Sequence, residues 1–298
     1  KYGDVEQPVP ADDEVLVRII CASVNAADYR SMKMGMIPKS RIFGCAIAGK
    51  VESVGKNIQK FKPGDEVLGD LSDSGFGGFA EYAIAPENAI AIKPSNVSFE
   101  DAATLPVAAT TALKALCDMG KIQSGQNVLI VGASGGVGSF ALQIAKYYKT
   151  NLTAVCSTGK IEAVCAIGAD HLIDYKKEDL TKTEKRFDLI VAINGNYPLL
   201  GFRRLLKPNG IYVMVGGGLS QIFRSIFFGW FLSFGTKNMR FLAAGSNPED
   251  LKDVADLLSR GNIRPVIEKK YSLSETAEAM NYLSEGHAHG KVIIEIGK

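Results

Sequence analysis

Hydrophobic and polar positions alternate over short distances in the first hundred residues. A β-branched run at 14–23 becomes almost wholly apolar, and further short runs follow at Ala46–Val54, 66–68 and 80–84. Turn sequences rich in Gly, Pro and Asp separate these runs. Closely spaced strands without long helices predict a compact, barrel-like β unit.

The pattern changes to longer segments after about residue 98. Helices are predicted at 98–105 and 108–119, and from there apolar strands alternate with amphipathic helices. This alternation predicts α/β architecture with a doubly wound parallel sheet and right-handed crossovers. The final segment, 266–296, reads as strand, helix and strand, and its pattern is compatible with packing on either part. The predicted strands of the alternating region are 127–131, 152–156, 189–193 and 211–215, and its helices are 136–148, 160–167 and 199–206. A turn is predicted at 207–210, and the charged run 176–186 is predicted to be a solvated helix face.

Composition narrows the class of protein. The chain has 298 residues, 46% of them hydrophobic and 22% charged, and its formal net charge is +2. That balance excludes intrinsic disorder and a strong electrostatic attraction to nucleic acid. The five cysteines show no C-x2-C spacing, so neither a zinc ribbon nor a redox motif is expected. We expect a reducing, cytoplasmic environment, no signal peptide and no membrane-spanning helix.

A glycine-rich turn at 132–138 carries the clearest chemical signal. An apolar strand runs directly into these glycines and an apolar helix follows at once. That context is typical of a dinucleotide fingerprint, with Ala133 at the first glycine position and Gly135 and Gly138 at the other two. We expect the backbone to approach a pyrophosphate at the start of the helix. The cofactor-binding residues predicted here are Ser134, Gly135, Gly136 and Val137. A plain strand-to-helix turn is the alternative.

The end of the next strand indicates which nicotinamide cofactor is bound. An NAD site usually places an acidic residue there to bind the ribose 2′-hydroxyl. This chain instead has Ser157, Thr158 and Lys160, which offer donors and positive charge to a 2′-phosphate. NADPH is therefore the expected cofactor, although Lys160 alone is also compatible with an exposed helix start.

Several motifs in family order carry a resemblance that covers the chain from about residue 14 to its C-terminus. They include Ser23-Val24-Asn25-Ala26-Ala27-Asp28, Lys62-Pro63-Gly64-Asp65, Gly77-Gly78-Phe79-Ala80-Glu81-Tyr82 and His289-Gly290-Lys291-Val292. The chain resembles the zinc-independent quinone oxidoreductases of the medium-chain dehydrogenase/reductase superfamily. The resemblance implies a GroES-like catalytic domain at 1–108 and an NADP-binding Rossmann domain at 109–247. The segment 248–298 would return to the catalytic domain.

The same resemblance implies the activity and the residues of the site. Members reduce quinones or activated enones with NADPH, often as homodimers. By this resemblance Asn25 would hold the nicotinamide side of the cleft and Thr111 would contact the cofactor. The adenosine phosphate would be surrounded by Ser157, Lys160 and Tyr175, and the nicotinamide would lie near Gly216 and Gly217.

Candidate metal ligands and proton donors follow from a comparison with the zinc-dependent members of the superfamily. Asn25 stands where they have their first Cys ligand, and Gly44-Cys45-Ala46 replaces their Gly-His-Glu motif, so no metal site is expected. The catalytic candidates are Asn25, Tyr29 and Arg30. For Tyr29, packing on an amphipathic helix is the alternative role.

Two apolar stretches leave alternatives open. Met32, Met34 and Met36 would either line an apolar substrate pocket or fill gaps in packing. The segment 222–234 is too short to span a membrane and would form a pocket, a dimer surface or a peripheral membrane contact. Two other functions remain compatible with the sequence: a zinc-free alcohol or aldehyde oxidoreductase, and an NADPH-binding sensor without catalysis.

Overall fold

The computed structural model describes residues 2–193, 197–216, 236–242, 245–286 and 288–297, so Gly217 and the segment 222–234 lie outside the described residues. The chain forms two compact units. The first comprises Lys1–Thr110 and Gly245–Lys298, and the second comprises Thr111–Ala244. The expected boundaries at 108/109 and 247/248 lie within three residues of these divisions.

The first unit is built on a mixed sheet whose strands are β1 (Glu14–Val24), β2 (Ala46–Val54), β3 (Glu66–Asp70), β4 (Tyr82–Pro86), β5 (Ile90–Ile92), β12 (Ile267–Ser272) and β13 (Lys291–Glu295). Their order is β12-β13-β1-β2-β3-β5, and β4 pairs with β1 as well. Its pairs are antiparallel except that β12 and β13 run parallel. Strand β1 pairs with β13, β2 and β4, and most of its residues on both faces are buried, which accounts for its almost continuously apolar sequence.

Four helices are described in the first unit: α1 (Ala26–Lys33), α2 (Phe99–Thr104), α7 (Pro248–Ser259) and α8 (Thr276–Ser284). The pattern of the sequence did not reveal α7, although its start has ordinary signals. The side chain of Asn247 caps it by accepting from Glu249 N, and Pro248 follows at the first helical position. The final segment lies in this unit because Ile294 of β13 pairs with Ala22 of β1.

The second unit holds a parallel sheet whose strands are β6 (Asn127–Val131), β7 (Asn151–Cys156), β8 (His171–Asp174), β9 (Phe187–Ala192), β10 (Leu206–Met214) and β11 (Asn238–Phe241). Their order across the sheet is β11-β10-β9-β6-β7-β8. Read from one edge, this is the strand order of a doubly wound dinucleotide-binding fold, and it confirms the predicted parallel sheet. The α-helices are α3 (Ala108–Leu113), which begins just before the unit, α4 (Gly136–Tyr147), α5 (Ile161–Ile167) and α6 (Leu199–Leu205).

Three local expectations were wrong in detail. The helix predicted at 108–119 changes after α3 to a π-helical turn, Lys114–Met119. The charged run 176–186 is not a helix face, because only a short 3-10 turn, Leu180–Lys182, forms within it. The turn predicted at 207–210 lies within β10 as an irregularity, since the pairing register shifts between Leu206 and Ile211. None of the helices in the described ranges is long and apolar enough to cross a membrane.

Candidate active site

The glycine-rich turn connects β6 to α4 in a way that only glycine permits at two positions. Gly132 has φ +83°, a left-handed conformation, so it makes the tight turn one residue before the expected position, Ala133. A Cβ on Gly138 would lie 2.2 Å from the carbonyl oxygen of Gly132. Helix and turn therefore approach each other as closely as a dinucleotide fingerprint requires.

The start of α4 is open to an anion. Gly135 is the N-cap, no side chain caps the helix, and its first turn holds no acidic residue. A Cβ on Gly135 would have only Gly132 O nearby, at 3.8 Å. Ser134, Gly135, Gly136 and Val137 are all partly exposed around this end. The N-terminal N–H groups and the helix dipole therefore suit the pyrophosphate of a dinucleotide.

The carboxyl ends of β7 and β8 bring together the residues expected around the adenosine phosphate. Tyr175 N donates to Cys156 O at 3.2 Å, and Lys160 N donates to Ser157 O at 2.9 Å. The Tyr175 side chain is 48% exposed, with Lys176 Nζ 5.5 Å from its ring centroid. Ser157, Lys160 and Tyr175 thus share one edge of the parallel sheet.

Asp174 lies at the same edge and was not anticipated as part of the site. Its Oδ2 accepts from the Thr158 hydroxyl at 2.6 Å, and its Oδ1 accepts from Lys176 N at 3.0 Å. The bond from Thr158 is the main cause that lowers the pKa of Asp174. The sequence signal was available, because Asp174 ends the strand next to β7 and pairs in register with Cys156.

The remaining cofactor candidates of the second unit lie on separate elements. Thr111 is on α3 and is 6% exposed. Gly216 is buried directly after β10, where Val215 N donates to Ala192 O at 2.9 Å. Their roles toward the cofactor remain predictions.

In the first unit, Asn25 is held at the junction of β1 and α1. Asn25 is the N-cap of α1, and its backbone N–H donates to Asp28 Oδ2 at 2.7 Å. Gly44 N donates to Asp28 Oδ1 at 3.2 Å, so Asp28 ties the helix start to the segment before β2. Asp28 is fully buried.

The side chain of Asn25 is bound on both sides of its amide. Its Oδ1 accepts from Lys291 Nζ, and its Nδ2 donates to the carbonyl oxygen of Ser23 at 2.9 Å. Lys291 is 3% exposed and begins β13. Lys291 belongs to a motif quoted for the resemblance, but no local pattern shows that it meets a residue 266 positions earlier.

The charges of this cluster are shifted by burial. Loss of solvent raises the pKa of Asp28 to about 6, although its hydrogen bonds with Asn25 and Cys45 oppose the shift. Burial lowers the pKa of Lys291 to about 8, while the nearby Cys45 and Asp28 act in the opposite direction. A proton-accepting group and a cation thus lie within one buried cluster.

Zinc does not fit this cluster. Cys45 is fully buried and is the single soft ligand among the side chains that surround Asn25 and Asp28, whereas a catalytic zinc usually takes three protein ligands. The ammonium of Lys291 would repel a dication there. In the described ranges, no group of three or more His, Cys, Asp or Glu side chains is arranged to hold a metal ion.

Tyr29 and Arg30, the other catalytic candidates, are half-buried on α1. The Tyr29 ring packs against the apolar core of the first unit. Arg30 Cζ lies 5.9 Å and Lys33 Nζ lies 5.4 Å from the centroid of the Tyr29 ring. Tyr29 therefore contributes to packing, and a role of either residue toward a substrate stays a prediction.

Comparison with known proteins agrees with this two-unit architecture. Residues 11–95 match the alcohol dehydrogenase GroES-like domain, and residues 167–294 match the family described as zinc-binding dehydrogenase. The first match confirms the GroES-like character expected of the β-rich unit. The second family's description includes zinc, whereas the side chains around Asn25 do not suit that metal.

Individual relatives cover nearly the whole chain. A chloroplastic quinone-oxidoreductase homolog of Spinacia oleracea is 34% identical over 99% of this chain and 93% of its own. A chloroplastic NADPH-dependent alkenal/one oxidoreductase of Arabidopsis thaliana is 30% identical over 98% of this chain and 74% of its own. The structure of a quinone oxidoreductase from Coxiella burnetii superposes with a TM-score of 0.89 at 27% identity, covering 99% of this chain and 94% of that one. The chain is thus an oxidoreductase with a nicotinamide-cofactor domain, and it belongs to the quinone oxidoreductase family of the medium-chain dehydrogenase/reductase superfamily.

Proposed function

We propose that this protein uses NADPH to reduce a quinone or an activated enone, without a metal ion. The observation that carries the proposal is the cofactor edge of the second unit. The open N-terminus of α4 suits a pyrophosphate, and the ends of β7 and β8 supply hydroxyl and lysine donors.

The preference for NADPH follows from how Asp174 is bound. Asp174 is an acidic residue at this edge, but both of its oxygens already accept hydrogen bonds. The Thr158 hydroxyl donates to Oδ2, and the backbone N–H of Lys176 donates to Oδ1. Its capacity to accept from a ribose 2′-hydroxyl is thereby reduced. Lys160, Lys176 and Lys177 supply positive charge around the same strand ends, which favours a 2′-phosphate.

Bound NADPH supplies a hydride, and the reaction with a quinone takes up one further proton to give the hydroquinone and NADP⁺. A conjugated acceptor suits a site without a Lewis acid, because conjugation already spreads the developing negative charge onto oxygen. This protein's own contribution is to bind and orient the reactants. The candidates for this role are Asn25, which caps α1, and Tyr29 and Arg30 on the same helix.

An apolar acceptor is consistent with the surface that follows α1. Met34, Met36 and Ile37 are 61%, 48% and 76% exposed, and Met32 near the end of the helix is 45% exposed. Methionine side chains adapt their shape to flat or irregular apolar ligands. The names of the two plant relatives, a quinone-oxidoreductase homolog and an alkenal/one oxidoreductase, support the same acceptor classes.

The test is NADPH oxidation by the purified protein with benzoquinones, naphthoquinones, linear enones and simple aldehydes. NADH replaces NADPH in parallel, and a chelator and zinc analysis accompany each assay. We expect quinone or enone turnover that prefers NADPH and is unchanged by the chelator. Chelator-sensitive turnover would overturn the metal-free proposal, and bound NADPH without any turnover would indicate a non-catalytic sensor. Light scattering in the same preparation tests the homodimer that family resemblance suggests.

A further inference from the structure

An exposed apolar surface lies at the end of α1 and in the segment that follows it, residues 32–41, which we call the methionine loop. Single exposed apolar side chains are normal on a protein surface, but here they cluster within six consecutive residues. Contiguous apolar exposure of this kind is typical of an interaction site. The side chains concerned are Met32, Met34, Met36 and Ile37, which are 45%, 61%, 48% and 76% exposed.

Backbone hydrogen bonds order this loop, so the exposure is a property of the folded chain. Gly35, at φ +76°, ends α1 in a Schellman turn, and its N–H donates to Met32 O at 3.0 Å. Met36 N donates to Ser31 O at 3.0 Å, which completes the turn. Ser31 on one side and Pro38 on the other are buried. The apolar side chains are therefore held on the outside of a fixed turn.

The charges of the methionine loop have a single sign. Lys33, Lys39 and Arg41 are exposed, and no Asp or Glu occurs between Asp28 and Glu52. In the part of the chain that the structure describes, none of these three cations forms an ion pair with a carboxylate. Positive charge is thus interleaved with exposed apolar side chains and is not neutralised by the protein itself.

Another exposed apolar segment of the same unit, residues 2–13, has the opposite charge. Val5 and Val9 are 65% and 85% exposed. The segment contains no Lys or Arg, and its acidic residues are Asp4, Glu6, Asp12 and Asp13. Apolar exposure is therefore similar in the two segments while the charge is reversed, which makes residues 2–13 a comparison within one molecule.

The partner that fits the methionine loop is an anionic lipid surface. Lys and Arg side chains are attracted to anionic headgroups, and apolar side chains beside them enter the layer beneath. A side chain as exposed as Ile37 protrudes from the protein, which suits insertion into a soft layer, whereas a rigid partner would need matching cavities. The methionine loop of a second copy would be repelled by like charge.

We propose that the methionine loop docks this protein reversibly on the surface of an anionic membrane. Met34, Met36 and Ile37 enter the outer part of the lipid layer, and the three exposed cations of the loop remain at the headgroups. The proposal goes beyond the proposed reaction and does not rest on it, because lipid binding is measured without cofactor or acceptor.

The experiment is flotation of the full chain with lipid vesicles, at low and at high salt. One set of vesicles is phosphatidylcholine alone, and the other contains equal parts of phosphatidylcholine and phosphatidylglycerol. We expect binding to the anionic vesicles, and binding at least about tenfold weaker to the neutral ones. High salt should weaken the binding because it screens the charges.

The role of charge is tested by replacing the three cations of the loop together. This triple variant should partition onto anionic vesicles about 100-fold more weakly, since each basic residue near such a surface contributes about fivefold. It combines Lys33→Gln, Lys39→Gln and Arg41→Gln. The matched control changes the net charge equally through three exposed lysines that pair with carboxylates elsewhere, and it should lose no more than about twofold. It combines Lys56→Gln, Lys60→Gln and Lys252→Gln.

Insertion of the apolar side chains is tested by Met34→Gln combined with Ile37→Gln. We expect about tenfold weaker binding to anionic vesicles, because less apolar surface leaves water. Val5→Gln combined with Val9→Gln removes similarly exposed apolar side chains from the acidic segment and should leave binding unchanged.

Tryptophan emission locates the inserted residue directly and does not depend on a loss of binding. Ile37→Trp should shift its emission to shorter wavelength when anionic vesicles are added, whereas Val9→Trp should not. Trp230 is present in both variants and contributes equally to each.

Absence of wild-type binding to anionic vesicles would overturn the docking surface, and so would equal losses in the loop variants and their controls. Binding that persists on neutral vesicles in high salt would reject the role of the cations. A dimer in light scattering that separates into monomers in the variant with Met34→Gln and Ile37→Gln would identify a second copy as the partner instead. Normal vesicle binding without NADPH oxidation would reject only the proposed reaction.

Discussion

The hydroxyl of Thr158 donates a 2.6 Å hydrogen bond to Oδ2 of Asp174, joining the end of β7 to the end of β8. This bond uses one oxygen of the Asp174 carboxylate, at the sheet edge where the adenosine ribose of a dinucleotide is expected. It therefore connects a local side-chain pairing to the choice between NADPH and NADH.

Replacing Thr158 by Val should shift that choice. Without the hydroxyl, Oδ2 of Asp174 becomes an available acceptor for a ribose 2′-hydroxyl and repels a 2′-phosphate more strongly. We expect the ratio of kcat/KM for NADPH over NADH to fall about 3–10-fold, the equivalent of roughly one hydrogen bond. Steady-state assays with both cofactors measure it.

Thr181 provides the matched control, because its hydroxyl makes the same kind of bond to a different carboxylate, donating to Asp179 Oδ1 at 2.7 Å. Thr181→Val should leave the cofactor ratio unchanged. An unchanged ratio in Thr158→Val would show that Asp174 does not meet the ribose.

The sequence was sufficient for elements whose signals are local. The strand β6, the glycine turn and α4 were predicted within one residue, because apolar runs and glycines mark them directly. Helix α7 was missed despite the Asn247 cap and Pro248. Only the local part of the cluster around Asn25 has a signal in the sequence, since Asp28 lies three residues away and forms a capping box. Lys291 is brought to Asn25 by the pairing of the last strand with the first. Such long-range contacts have no local pattern.

Gly138→Ala should destabilise the second unit. The new Cβ would lie 2.2 Å from Gly132 O and 2.7 Å from Ala133 C, both backbone atoms at a fixed turn. We expect the free energy of unfolding to fall by about 3 kcal/mol, at the upper end for overpacking. Denaturant unfolding followed by circular dichroism measures it.

Gly135→Ala is the companion variant because its Cβ would meet nothing closer than 3.8 Å. Its stability should stay within about 1 kcal/mol of wild type, while its affinity for NADPH falls because the methyl group occupies space meant for the pyrophosphate. Equal loss of stability in both variants would contradict the assigned roles of the two glycines.

Lys93→Met should destabilise the first unit more than an ordinary surface change. The substitution leaves the carbonyl groups of Val97 and Pro94 without their donor, and Glu66 keeps only its second ion-pair partner, Lys50, at 3.2 Å. We expect a loss of about 2–4 kcal/mol in the free energy of unfolding. Lys56→Met, which removes an exposed pair with Asp12, should cost no more than about 0.5 kcal/mol. A cost for Lys93→Met as small as the control's would mean that the burial of Lys93 is not stabilising.

The buried carboxyl of Asp28 should make stability fall as pH rises from about 4 to 6. Burial raises its pKa from 3.8 to about 6, so in this range the folded chain binds the proton that the unfolded chain has released. Stability falls with pH wherever the folded state holds more protons. A shift of about two pKa units corresponds to about 3 kcal/mol. Other carboxyl groups with lowered pKa values, such as Asp170 and Asp179, act in the opposite direction, so the prediction concerns a difference between variants.

The measurement is the free energy of unfolding of wild type and Asp28→Asn at pH 4 and pH 6.5. The amide cannot ionise, so stability of the variant should rise relative to wild type by about 2 kcal/mol between these values, whatever its absolute cost. Asp179→Asn is the control with the opposite sign, because a lowered pKa stabilises the folded chain increasingly as pH rises. A constant difference between wild type and Asp28→Asn would show that this carboxyl is ionised in the folded protein at pH 4, and that Gly44 and Asn25 N–H groups outweigh its burial.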